Sequence, residues 1–122
     1  MSESERRHTR YALSSGEFTR QRLKRCGMLG SLKGWKECRV KDISSAGALL
    51  LTKTEHYLGD FIDLELLSSG GIKLLFRGEV VNLGKDHSTN QHKVGVKIAT
   101  PTPGSGEAIF LNGIQTRYKQ ST

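Results

Sequence analysis

Lys93-Val94-Gly95-Val96-Lys97-Ile98 sets Val94, Val96 and Ile98 on one side and Lys93, Gly95 and Lys97 on the other. A period of two sends successive side chains to opposite faces of a strand, so one face is expected on a core and the other outside. Residues 61–67 repeat the pattern, with Ile62, Leu64 and Leu66 against Phe61, Asp63 and Glu65, and Gly59 opens this strand. After a turn at residues 68–71 comes a longer run, 72–83, in which Ile72, Leu74 and Phe76 alternate with Lys73, Leu75 and Arg77. Gly78 interrupts that run and predicts a bulge or a barrel corner. The polar stretch 84–91 reads as a loop.

Upstream, residues 37–43 and 48–52 read as two further strands joined through residues 44–47. Residues 14–27 admit two readings. Ser14 and Glu17 have capping-box spacing and Gly27 is a helix stop, but Phe18, Leu23 and Cys26 make a poor apolar helix face. A first strand is preferred, because a closing sheet needs partners for both edges. Residues 107–119, behind a connector containing Pro101, Pro103, Gly104 and Gly106, form the best helix, with Ile109, Phe110, Ile114 and Tyr118 on one side. Many short strands followed by one helix predict an all-β fold, a small closed or nearly closed barrel with the helix over an open end.

The 122 residues are one domain's worth of chain. They carry 19 Lys and Arg against 12 Asp and Glu, a formal charge of +7. Residues 1–41 hold eleven of the cations and four of the acids, so the whole excess sits in the first third. That asymmetry points to an anionic partner bound at one end of the molecule. The longest stretch without a charged residue is the ten from Ile43 to Thr52, short of the roughly 18–20 apolar residues of a membrane span. Residues 1–10 are polar and charged with no apolar core segment, so a cytoplasmic location without membrane insertion is expected. Cys26 and Cys38 lack metal-site spacing, and two cysteines make no disulfide framework. His87 and His92 sit in the polar stretch and are expected to be exposed rather than metal ligands. No catalytic triad, phosphate-binding glycine loop or metal cluster is spelled out, so no enzyme, cofactor or metal is expected.

Two short patterns remain. Glu5-Arg6-Arg7-His8-Thr9-Arg10-Tyr11 contains RxxxR at Arg6 and Arg10, and Val40-Lys41-Asp42-Ile43-Ser44-Ser45-Ala46-Gly47 contains DxSxxG at Asp42, Ser44 and Gly47. Arginine presents a planar fork that engages phosphate, the O6 and N7 edge of guanine, or a purine face. Asp42 is an acceptor for the N–H groups of a guanine edge, and its negative charge does not suit a binder of phosphate alone. The Ser44 hydroxyl, two residues on, shares a strand side with Asp42. Val40 shares that parity too, which puts an apolar side chain on the same side unless the strand bends. Gly47 permits a positive φ or a close backbone approach.

In this order, ahead of a small all-β pattern, the two motifs resemble the PilZ domain, the bacterial receptor for the second messenger cyclic di-GMP. The resemblance spans about residues 5–99. It implies a six-stranded antiparallel split barrel, residues 12–119, preceded by a flexible ligand-binding arm, residues 1–11. It implies cyclic di-GMP as ligand, bound by Arg6, Arg10, Asp42, Ser44 and Gly47, with Arg7 as an added phosphate contact by position and charge. The chain departs from the family's pattern in Ile98, where an aromatic is customary, and in the long basic stretch between Arg10 and Asp42. In such a receptor the arm orders on binding, and the signal passes on by conformational change or to a downstream protein partner.

Two other readings compete. A basic barrel binding single-stranded nucleic acid would display several aromatics on one sheet face; Phe61 and Phe76 fall on different faces, so the expectation is against a nucleic acid. A PilZ-like interaction module with a degenerate site is the other, and the completeness of both motifs speaks against it. Monomer and dimer stay open. The cluster Arg20, Arg22, Lys24 and Arg25 reads as a solvated strand face, and Trp35 as a core or rim anchor.

Overall fold

The computed structural model describes residues 9–13, 16–26 and 34–118. Six strands form a closed antiparallel barrel: β1 (Phe18–Arg25), β2 (Lys36–Ile43), β3 (Gly47–Thr52), β4 (Phe61–Ser68), β5 (Lys73–Asp86) and β6 (Gln91–Ile98), in the order β1-β2-β3-β6-β5-β4. Among the described residues one helix, α1 (Gly106–Arg117), follows. The alternating residues behave as their period requires. Ile62, Leu64 and Leu66, Leu74 and Phe76, and Val94, Val96 and Ile98 all enter one core with Leu23, Val40, Ile43 and Leu50. The ambiguous segment is a strand; its residues 14, 15 and 27 lie outside those described.

Four local expectations are corrected. Residues 84–86 are not loop: β5 runs on to Asp86, and the turn to β6 is 87–90, with Asn90 at φ 57. His92 therefore stands on β6, paired with Thr52, while His87 is exposed in the turn. The β5 irregularity falls at Val81, between Val80 and Asn82, not at Gly78. Gly78 instead lets β6 approach, since a Cβ there would lie 3.0 Å from the Lys97 carbonyl oxygen. The turn Gly59 (φ 88) precedes β4, which begins at Phe61.

The helix lies across the barrel end at which β1, β3 and β5 begin. Ser105 caps it by accepting the Ala108 N–H at 3.1 Å, and Glu107 sits in its first turn, where the helix dipole favours a negative charge. Glu107 also accepts the Leu75 N–H at 2.9 Å, occupying a stretch of β5 that β6 does not reach. Phe110 packs edge-on to Phe18 with centroids 5.9 Å apart, and Leu111, Ile114 and Tyr118 are buried beside it. Ile109, expected on this face, is 62% exposed; Leu111 takes its place. No helix among the described residues is long and apolar enough to cross a membrane.

Among the described residues, the seam between β1 and β2 is the barrel's thinnest: the two strands pair only at Arg22–Glu37 and Leu23–Lys36. Higher up, the Gln21 side-chain oxygen accepts the Val40 N–H at 2.8 Å. There Tyr11 makes an isolated antiparallel bridge to Ile43.

Candidate functional site

β2 carries the site because of a bulge. Val40 pairs with Leu50 and Asp42 with Leu49, leaving Lys41 as the extra residue. The slip reverses the strand's parity, so Val40 and Ile43, three apart, both enter the core while Asp42 between them turns outward. This bend removes the apolar side chain that simple alternation places beside Asp42. Leu49 and then Gly95 continue the same outward row across β3 and β6, an apolar floor next to the carboxylate. Alternation marks Gly95 as outward, but nothing in the sequence marks Leu49 and Gly95 as part of a site.

The Tyr11 bridge brings the second half. Tyr11 N–H donates to the Ile43 carbonyl at 2.8 Å and Ile43 N–H to the Tyr11 carbonyl at 2.9 Å. Tyr11 packs against the core, so Arg10 beside it faces out, exposed, on the side of Asp42 and Ser44. Asp42 is 6% exposed and accepts no side-chain hydrogen bond from the described residues. Burial pushes its carboxyl above the ordinary aspartate value, opposed by the nearby charges of Arg10 and Lys41. A nearly buried carboxylate that accepts no hydrogen bond from the described residues, beside an exposed guanidinium, suits a ligand that brings both N–H donors and phosphate.

Ser44 and Gly47 hold the connector between β2 and β3. Ser44 Oγ accepts the N–H groups of Gly47 (3.0 Å) and Ala46 (3.2 Å) and donates to the Gly47 carbonyl at 3.3 Å. Its one proton and both lone pairs are thus used inside the turn. Gly47 needs no positive φ; a Cβ there would lie 2.7 Å from the Val96 carbonyl oxygen, so the close approach it permits is that of β6. Beside this turn, Thr9, Tyr11 and Ser45 line a shallow hollow shared with Asn112 and Gln115 of α1. Of the six residues expected at the ligand, Arg10, Asp42, Ser44 and Gly47 are gathered at this end of the barrel, and Arg6 and Arg7 lie outside the described residues.

Arg20 and Arg22, expected as a solvated face, instead clamp Glu65 of β4, and Arg25 pairs with Asp60 at 3.2 Å. Half-buried Trp35 carries the Arg22 guanidinium 4.7 Å and the Lys24 ammonium 4.8 Å from its ring centre.

A closed six-stranded barrel with a bulged second strand, a Ser-x-x-Gly turn and an arginine-bearing segment bridged to the strand end defines a compact class of small antiparallel barrels. Comparison with known proteins places the chain within that class: the PilZ domain family model matches residues 5–112, and the chain belongs to this family. Three solved structures share the fold. MotI/DgrA, the inhibitor of motility of Bacillus subtilis, aligns with a TM-score of 0.66 at 10% identity over 90% of this chain and 49% of its own. The PilZ domain of Escherichia coli YcgR with c-di-GMP aligns at 0.60 and 13% identity, over 92% of this chain and 87% of that one. K. pneumonia MrkH in complex with c-di-GMP aligns at 0.63 and 16%, over 91% and 51%. The chain thus spans about half the length of MotI/DgrA and of MrkH. No curated protein matches it.

Proposed function

We propose that this PilZ domain is a non-enzymatic, cytoplasmic receptor for cyclic di-GMP. Arg10, with Arg6 and Arg7 from the arm, takes the phosphates and stacks on or pairs with guanine, and Asp42 accepts the N–H groups of a guanine edge. Ser44 and Gly47 shape the turn against which the ligand rests. The observation that carries this reading is the juxtaposition of exposed Arg10 with the nearly buried Asp42 carboxylate across the Tyr11–Ile43 bridge. The complexes of YcgR and MrkH with c-di-GMP support the choice of ligand. Ligand seated here draws the arm onto β2 next to the hollow shared with α1, which gives the signal a route to the helix or to a partner protein. Titration calorimetry with cyclic di-GMP tests the proposal. Binding is expected at micromolar concentration or below, weakened about tenfold or more by Arg10→Ala and by Asp42→Asn, each removing a charge-assisted hydrogen bond. No heat of binding by the unaltered chain, or equal binding by both variants, overturns it.

A further inference from the structure

The first third of the chain holds more positive charge than the messenger site uses, and the structure gathers part of the remainder on another face. In the barrel order β3 and β4 lie opposite each other. Asp42 adjoins β3; the second face is centred on β4. Register lays it out in rows, with Arg20, Leu67 and Lys73 in one and Arg22, Glu65 and Leu75 in the next. The Glu65 side chain is 3% exposed and is held by Arg20 Nε at 3.0 Å, by Arg22 Nε at 2.8 Å and Nη2 at 3.1 Å, with Lys73 Nζ at 4.0 Å. Three cations thus surround one carboxylate, and in the next row Lys24 and Arg77 flank Asp63, which Arg77 Nε holds at 3.1 Å.

A buried carboxylate used in this way gains little over an apolar pair of the same shape, but it fixes two guanidiniums whose side chains remain 44% and 28% exposed. Trp35 supports Arg22 and Lys24 from the side, and Leu75, 49% exposed, stands directly across from Glu65. A nucleic-acid surface pairs cations with open stacking rings; here the indole is flanked by two cations, and leucines sit within the rows. Arginine, tryptophan and an exposed aliphatic residue are what the centre of a protein interface uses, and a surplus of positive charge selects the sign of the partner. We propose that the outer face of β1, β4 and β5 docks an acidic segment of a partner protein, its carboxylates meeting Arg20, Arg22 and Lys24 and an apolar side chain covering Leu75. The messenger face opposite stays open while the partner is bound.

Random peptides displayed on phage are selected against the immobilised whole chain, and enriched peptides are resynthesised with a fluorophore for anisotropy titration. Acidic peptides bearing an apolar residue are expected, with affinity lowered about tenfold or more by Leu75→Ser and by Lys24→Glu combined with Lys73→Glu. Those substitutions keep Arg20 and Arg22, and far-UV circular dichroism with the urea midpoint verifies the fold. Cyclic di-GMP titration of the same variants is expected to match the unaltered chain, so loss of docking and loss of messenger binding read separately. Selection without an acidic family, or acidic peptides indifferent to both variants, overturns the inference. Labelled oligo-uridylate or phosphatidylglycerol vesicles binding more tightly than the peptides, with sensitivity to the same variants, overturns it in favour of a nucleic acid or a membrane.

Discussion

A methyl group on Gly47 has nowhere to go, because the Val96 carbonyl oxygen lies 2.7 Å from where its carbon would sit. The obstacle is backbone of a paired strand, so relief requires β3 and β6 to part. Gly47→Ala is expected to cost about 1–3 kcal/mol, the usual range for overpacking, read as a lower urea midpoint without ligand. A midpoint equal to that of the unaltered chain would falsify the structural role. The motif Asp42, Ser44, Gly47 was legible in the sequence as a set, but not its division of labour. Ser44 and Gly47 build the turn, while Asp42 accepts no hydrogen bond from the described residues. The bulge at Lys41 showed in the sequence only as Val40 falling on the side of Asp42, for a physical reason: alternation is read by parity, and a one-residue slip changes the parity by which it is read. Asp42 also has a pH signature. Burial raises its carboxyl, so on acidification the site loses its anion sooner than an ordinary aspartate would. Cyclic di-GMP affinity is expected to fall toward acid pH, and Asp42→Asn to bind weakly with little change over the same interval. A parallel fall in the Asn variant refutes the assignment.

At the scale of elements, strands were legible wherever one face was wet and the other dry. Residues 61–67 and 93–98 are the clear cases. The run ending β5 was not, because residues 82–85 are all exposed and a strand wet on both faces has no alternation to show. On α1, Ile109 and Leu111 are equally apolar, and the contact with the barrel end decides between them. The element least visible in sequence is the bridge at Tyr11, which extends the sheet where β1 leaves β2. It ties Arg10, the proposed ligand contact, to the seam of the barrel. Tyr11→Pro removes the N–H that donates to Ile43, whereas Tyr11→Ala removes only side-chain packing. Proline is expected to lower the stability by about 1 kcal/mol more than alanine and to weaken cyclic di-GMP binding by roughly a further fivefold. Equal values for the two variants show that the bridge carries neither function.

The whole molecule closes its two ends differently, and the difference predicts how it meets acid. α1 covers one end with Phe110, Leu111 and Ile114. The segment 53–60 at the other is polar: Arg25 pairs with Asp60 and donates to the Glu55 carbonyl at 3.2 Å, and Tyr57 N–H donates to the Asp60 carboxylate at 3.0 Å. Inside it, His56 is 6% exposed, with Nε2 2.8 Å from Thr54 Oγ1 and Nδ1 without a hydrogen-bond partner among the described residues. Burial, together with the Arg25 and His92 charges, pushes its pKa below the ordinary 6.5, while Asp60 opposes the shift. The unfolded chain then binds this proton more readily than the folded one, so no stability is lost well above 6.5 and the loss grows as pH falls through that value. The urea midpoint is accordingly expected to decline from neutral pH toward pH 5, with His56→Gln flattening the upper part of the decline. Glu65 acts lower on the scale. The Arg22 hydrogen bond, with the charges of both arginines, holds its carboxyl below the ordinary 4.5 against the cost of burial, so its stabilisation stands above that value and disappears as pH falls through the lowered one. Two separate losses are therefore expected on acidification, the earlier from the histidine under the polar cap and the later from the carboxylate under the arginines. An unaltered upper limb in His56→Gln places that loss elsewhere in the barrel.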